Sequence, residues 1–222
     1  SAFKNDVGGS FSFTNSGTYR KSGTGLTTFQ DVAFVNPGTL EIEAGILDLL
    51  GGGSSSGAIS VLTDAKLRLG NSFTFDDGTA MTGGGIVEAV AGTTTLTGSV
   101  DFSKFVLAGA TLAGTHSFTG GFSWQSGSLS TSGTTTITAD GHLVVSSTVD
   151  HDLNGRSLVN RGLVDWQSGR LRTGNGGSIT NEATWNDSGT STAGGTNVGA
   201  SAFKNDVNWI DRKSGSAGMP RP

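Results

Sequence analysis

Leu158-Val159-Asn160-Arg161-Gly162-Leu163-Val164-Asp165-Trp166-Gln167-Ser168-Gly169 opens on an apolar-x-Asn triplet and closes on the tetrad Trp-Gln-Ser-Gly. Both signatures return elsewhere in the chain. The triplet occurs as Phe3-Lys4-Asn5, Phe13-Thr14-Asn15, Phe34-Val35-Asn36, Ile179-Thr180-Asn181 and Phe203-Lys204-Asn205. Phe34 follows Phe13 at an offset of 21, and Ile179 follows Leu158 at the same offset. The tetrad also stands at Trp124–Gly127, and its offset of 42 from the second copy is twice that spacing. The segment from Phe34 to Leu49 matches the segment from Leu158 to Arg172 with one deletion. Ser1-Ala2-Phe3-Lys4-Asn5-Asp6-Val7 is repeated letter for letter at Ser201–Val207, an offset of 200. Such an identity indicates duplication.

A fixed period near 21 is the mark of a repeat architecture. Within each period, apolar residues fall two apart, as in Phe11-Ser12-Phe13, Leu40-Glu41-Ile42, Leu67-Arg68-Leu69, Phe73-Thr74-Phe75 and Phe122-Ser123-Trp124. That alternation places them on one side of a strand. Helical periodicity is weak and confined to Glu41–Leu50, where Gly45 interrupts it. The spacing predicts an all-β chain, a right-handed β-helix (β-solenoid) of irregular coils of about 21 residues. One solenoid domain is expected over residues 1–212, followed by a flexible tail over 213–222.

Each coil of such a stack is too thin to hold a core alone and must rest on its neighbours. Equivalent residues then form ladders at roughly 4.8 Å. The expected ladders are Phe3/Asn5, Phe13/Asn15, Phe34/Asn36, Leu158/Asn160, Ile179/Asn181 and Phe203/Asn205, with apolar members inside and asparagines at the corners. Asparagine suits a corner because it tolerates left-handed backbone angles and its amide can bond the next coil.

Composition agrees with thin strands and many turns. Hydrophobic residues make up 34% and charged residues 14%, below the roughly 45–50% and 25% of ordinary globular chains. With a net charge of −4 and only 3 prolines, the chain lacks the marks of a disordered linker. There are 37 glycines and no cysteine, so disulfides do not hold the fold. No Lys/Arg stripe exists to neutralise phosphates, which argues against nucleic acid as a partner. No apolar run is long enough for a membrane helix. The chain opens on Ser1 without Met or a leader, as expected of a mature or excised segment.

The runs Phe13–Gly23 and Asn36–Leu49, rich in Gly, Thr and Asn, resemble the repeats of large bacterial secreted and cell-surface β-solenoid proteins of the adhesin-like class. The resemblance implies an extracellular, cell-surface setting and a structural or adhesive role. It implies no catalytic residues, cofactor or metal.

Several other constellations invite chemistry. Asp76-Asp77 and Gly141-His142 resemble fragments of polygalacturonase-like β-helix enzymes, whose Asn-Thr-Asp and Arg-Ile-Lys elements are missing here. Asp76-Asp77-Gly78 reads as a turn, leaving a polysaccharide-degrading enzyme as the less favoured alternative. Asp150-His151-Asp152 puts both carboxylates on one strand face and the imidazole on the other, and a solvated corner is the expectation. The threonine runs at Thr93–Thr97 and Thr134–Thr138 stand at an offset of 41, suggesting equivalent positions two coils away. Trp124, Trp166, Trp185 and Trp209 would form a carbohydrate-binding face if exposed; their alternation with Phe122 and Val164 favours the inside.

The duplicated terminal heptapeptides suggest that the two ends are equivalent coils. Head-to-tail self-association into a filament, or incorporation in an adhesive stalk, is then the expected behaviour. Ser1, Ala2 and Phe3 would form one face of the contact, and Ser201, Ala202, Phe203 and Trp209 the other. Glycans or a cell surface are further expected partners.

Overall fold

The computed structural model describes residues 1–188, together with the backbone of three later strands, Gly194–Gly195, Ala202–Asn205 and Trp209–Asp211. The chain winds as a β-solenoid of about nine turns, and the described residues contain strands and turns but no helix. Every strand pairing is parallel, and most strands bond to the one a coil earlier and the one a coil later. At the strand spacing of about 4.8 Å, nine turns make a rod roughly 45 Å long.

Each turn has three faces. The first face begins with Ala2–Lys4, Leu26–Gln30 and Ile46–Leu49, and continues to Leu163–Trp166 and Thr184–Asp187. The second begins with Ser12–Thr14, Ala33–Asn36 and Gly53–Ser55. The third begins with Thr18–Lys21, Thr39–Ile42 and Ala58–Val61, and later carries Ser157–Asn160 and Ser178–Asn181. The coil length is roughly 20 residues and varies along the rod. Phe13 pairs with Phe34, an offset of 21, whereas Phe105 pairs with Phe122, an offset of 17, and Ser128 with Asp152, an offset of 24.

The short coils have a visible cause. Lys104–Ala113 and Gly121–Ser130 each run through the corner between first and second faces as one ten-residue strand. The turn is reduced to a register shift around Ala108. These two strands join the first and second faces into a single 19-stranded sheet. The third face is interrupted instead. Its Met81–Thr82 strand pairs back to Ala58–Val61, and a separate ladder starts at Gly98–Val100. The corner before Met81 is the Asp76-Asp77-Gly78 turn, closed by Thr79 N–H donating to Asp76 O at 3.1 Å.

Alternation makes the core. On the first face the inward pairs run Leu47 and Leu49, Leu67 and Leu69, Val87 and Ala89, Phe105 and Leu107, Phe122 and Trp124, Leu143 and Val145, and Val164 and Trp166, all buried. Burial of each large side chain contributes on the order of 1.5–3 kcal/mol. Trp124, Trp166 and Trp185 are inside, as the alternation predicts, and the side chain of Trp209 lies outside the described residues. Trp124 and Trp166 occupy one column with Val145 between them, so the spacing of the two tetrads is two coils. In both tetrads the indole Nε1–H donates to the carbonyl of the tetrad's own glycine, Gly127 or Gly169, at 3.2 Å. The glycine also leaves room: a Cβ on Gly169 (φ +82°) would stand 2.5 Å from His151 Cε1.

The expected asparagine ladders form, but in two places. Asn15 donates its side-chain amide to Asn36 Oδ1 at 2.7 Å and to the Thr39 carbonyl at 2.8 Å. Asn160 does the same to Asn181 Oδ1 at 2.7 Å and to the Thr184 carbonyl at 2.8 Å. The first ladder closes the corner from second to third face; the second closes the corner from third to first. The sequence repeat is therefore a repeat of the corner device, turned by one face. Phe13 stacks on Phe34 with ring centroids 5.5 Å apart. Leu158 lies in register with Ile179, which lies in register with Phe203, as Asn181 does with Asn205. Phe3 and Asn5 stand apart from both ladders. Phe3 is on the first face and stacks on Phe29 at 4.6 Å, and Asn5 bonds the Gly9 carbonyl of its own loop. The proposed tail at 213–222 lies outside the described residues.

Asn36 both accepts from Asn15 and donates to Ser55 Oγ at 3.0 Å. Its replacement by Ala removes one hydrogen bond from each of two buried partners, Asn15 and Ser55, and should cost about 1–3 kcal/mol in urea unfolding. A control on the outer surface, Thr28→Ala, should change stability by no more than about 0.5 kcal/mol. Equal midpoints for the two variants would remove the ladder from the stabilising set.

Candidate self-association surface

The first described coil carries an unpaired strand edge and several exposed apolar side chains. Its strands Ala2–Lys4, Ser12–Thr14 and Thr18–Lys21 pair only with the coil above, leaving their other edge without a strand partner among the described residues. Phe3 is 42% exposed, and Val7 and Phe11 are 97% and 58% exposed on the loop that follows. Behind them lies an aromatic cluster. Phe13 sits edge-on to Tyr19 at 5.7 Å and to Phe29 at 5.4 Å, and Phe29 lies 5.1 Å from Phe34. This is the core seen end-on. Edge strands are commonly guarded by charge, and Lys4 supplies one here. Asp6 pairs with it at 2.6 Å, holding its ammonium above the usual lysine range.

The two copies of the duplicated heptapeptide do not occupy equivalent coil positions. Ala2–Lys4 pairs with Thr28–Gln30 on the first face, whereas Ala202–Asn205 pairs with Ser178–Asn181 on the third. Offsets from one coil to the next range from 17 (Phe105 to Phe122) to 26 (Ala2 to Thr28). They accumulate to a non-integral number of turns between the two copies. Trp209 follows Trp185 on the first face. Ser201, and the side chains of Ala202, Phe203 and Trp209, lie outside the described residues.

The other constellations are dispersed. Asp76 and Asp77 form the corner before Met81, while His142 lies on the first face four coils further on, with Nε2 2.8 Å from Asp165 Oδ2. The fold does not bring the three together. The threonine runs lie on different faces, Thr93–Leu96 on the second and Thr134–Ile137 on the third, so they are not stacked equivalents. Among the described residues no group of three His, Asp or Glu could hold a metal ion, and no helix is long and apolar enough to cross a membrane.

Asp150-His151-Asp152 is a strand rather than a corner, with the alternation expected of one. The two carboxylates point outward and meet Arg170 and Arg172 of the next coil, with paired contacts of 2.7–3.0 Å from Arg170 to Asp150 and 2.5–2.7 Å from Arg172 to Asp152. The Arg170 guanidinium holds the Asp150 carboxyl below the usual range. Sequence reading missed this ion ladder, although Asp-x-Asp and Arg-x-Arg one coil apart carry its signal. Similar rungs join Arg20 to Glu41, Arg161 to Glu182, and Arg68 to Asp48 and Glu88.

A buried polar line was also missed. His116 and Thr135 take successive inward positions on the third face, and Arg156 reaches down to them from the corner above. Arg156 Nε donates to Thr135 Oγ1 at 2.9 Å; the Thr135 hydroxyl faces His116 Nε2 at 3.1 Å; His116 Nδ1 faces the Leu96 carbonyl at 3.3 Å. One assignment of protons satisfies every link: Thr135 donates to Nε2, and Nδ1–H donates to Leu96 O. That requires a neutral imidazole. Burial, with Arg156 nearby, pushes the His116 pKa down to about 3. Burial also lowers that of His151, whose Nε2 faces the carbonyls of Trp124 and Ser146.

No known protein-family profile matches the chain, and neither a curated protein nor a solved structure matches it.

Both histidines have folded-state pKa values below the unfolded value of about 6.5. Below that pH the unfolded chain binds protons that the folded chain refuses. Their contribution is therefore complete above about 6.5 and is lost as pH falls, for His116 down to about 3. Urea unfolding of wild type and His116→Gln between pH 7 and 4 should show wild type losing up to about 1.4 kcal/mol more per pH unit. Parallel pH profiles would mean that His116 is not held neutral.

Proposed function

We propose that this chain is a structural rod of an extracellular fibre or adhesive stalk, and that it joins copies of itself by stacking coil on coil. The observation that carries this reading is the stacking itself: the described coils are joined by parallel ladders. In the first described coil Phe3, Phe11 and Val7 are exposed beside strands whose other edge has no partner among the described residues. Backbone donors and acceptors on such an edge are templates for another strand. Aromatic side chains at the centre of a contact supply most of its energy. A further coil laid on this end would extend the existing ladders at the same spacing, with each new inward side chain resting on Phe3, Phe13 or Tyr19.

The extracellular setting follows from the resemblance of the repeats to secreted and surface solenoids. The carbohydrate-binding alternative loses its aromatic platform, because Trp124, Trp166 and Trp185 are buried in the core. The enzymatic alternative has no convergent carboxylates at Asp76 and Asp77 to build on. Contact between the first coil of one copy and the far end of the next is heterologous and gives filaments; contact between two first coils is isologous and stops at a pair.

Negative-stain electron microscopy across a concentration series separates these outcomes. Thin fibres of constant width are expected from wild type. Phe11→Asp, which alters an exposed loop residue and leaves the ladders intact, should give short rods of roughly 45 Å at the same concentrations. Discrete wild-type rods at the highest concentration would overturn self-association as the function. Uniform rods of double length would keep self-association and replace the filament by a head-to-head pair.

A further inference from the structure

Outward positions on the first face stack into columns along the rod. One column reads Lys66, Ile86, Lys104, Gly121, His142 and Leu163; its neighbour reads Glu88, Val106, Ser123 and Val144. Both columns lose their bulk at the same coil, at Gly121 and Ser123. Gly121 is a glycine for a backbone reason. Its N–H donates to the Ser103 carbonyl at 3.2 Å, and a Cβ would stand 2.8 Å from that same oxygen. The close approach that docks this coil on the one below leaves no room for a side chain.

The missing bulk leaves a cavity of about 200 Å³, open to solvent, with Ile86, Lys104 and Val106 on one side and His142 and Val144 on the other. Lys104 and His142 are two strand spacings apart along the axis, about 9.6 Å. A flat ring needs about 3.5–4.0 Å to the carbons on each side, so the gap takes one ring and not two. The volume agrees, since an apolar cavity of roughly 150 Å³ holds a benzene molecule. Lys104 is exposed, so its stem lines the cavity while its ammonium stays at the mouth. Among the described residues no acid pairs with it. Glu88 is held by Lys66 and Arg68, and Asp165 by His142 and Asn186.

Apolar walls with one unmatched cation at the mouth select a ligand built of the same two parts. We propose that this slot binds a small aromatic carboxylic acid, with its ring laid over Gly121 and Ser123 and its carboxylate on Lys104 Nζ. An inorganic anion would gain nothing from the valines. A sugar would set its hydroxyls against apolar walls, where His142 Nε2 is already committed to Asp165 Oδ2 at 2.8 Å. The slot lies on the flank of the rod, several coils away from Phe3 and Phe11, so its occupancy is independent of stacking at the first coil.

Methyl and imidazole NMR on the intact protein tests the site, with phenylacetate as the probe. Titration should shift the methyl signals of Val106 and Val144 and the ring signal of His142, saturably and together. 2-Phenylethanol, which keeps the ring and lacks the charge, should move the same signals with roughly tenfold weaker affinity, the loss of one charge-assisted contact. Lys104→Gln should bring phenylacetate down to the affinity of the alcohol. Ser123→Leu, which fills the slot from an outward position, should abolish both titrations. No saturable shift in wild type would overturn the site, as would equal affinities for acid and alcohol or an unchanged titration in Lys104→Gln. Should Ser123→Leu fail to fold, the comparison of acid with alcohol on wild type still decides the matter.

Discussion

A buried side chain in this molecule has neighbours above and below it along the axis and little choice of any other. That restriction comes from the parallel ladder, which sets each residue about 4.8 Å from its counterpart in the next coil. Apolar side chains meet the condition by stacking like on like, as Phe13 does on Phe34. Polar ones must bond along the axis, because sideways they meet only core. Asparagine suits this because its amide carries both a donor and an acceptor. Each Asn accepts from below and donates above, so a column of them satisfies itself (Asn15, Asn36 and then Ser55). The Arg156–Thr135–His116 line obeys the same rule with unlike residues, each donor finding its acceptor one coil down.

On the outside the same spacing works against repetition. Identical charges stacked a coil apart would repel, so these outer columns alternate in sign: Asp48, Arg68 and Glu88 on the first face, Asp150 and Arg170 on the second, Arg161 and Glu182 at the corner after the third. Asp48 is buried beneath Arg68. The Asp150–Arg170 and Arg161–Glu182 pairs are about a third or more exposed, and each contributes modestly to stability, about 0–1 kcal/mol. Their larger effect is on register. A slip by one residue would turn the inward column outward and would also separate each acid from its base. The sequence repeats the core and varies the surface because the ladder rewards likeness inside and complementarity outside.

Much of this was legible in the residues. The period, the alternation of Phe122 with Trp124, the asparagine corners and the interior tryptophans all follow from short-range spacing. Positions that depend on the running total of coil lengths were not. The runs Thr93–Thr95 and Thr134–Thr136 are separated by close to two average coils, yet fall on different faces because the coils between them are short. The ten-residue strands at Lys104–Ala113 and Gly121–Ser130 abolish a corner, and no residue type marks that loss. Arg156 gave no signal because a single arginine in a Gly-Arg-Ser corner looks like any solvated turn. Its burial follows from the small residues beneath it, Gly133 and Gly114, which matter only once the coils are stacked.

The turning of repeats from one face to another has a consequence for how such a rod presents itself. A heptapeptide used first on one face, and on another when it returns late in the chain, points in two compass directions around the same axis. Any surface property copied with it is distributed around the circumference instead of being lined up along one flank. A solenoid grown by duplications of this kind wears its markings as a spiral stripe, like the thread of a screw. Such a rod offers a similar aspect to whatever approaches it from any side.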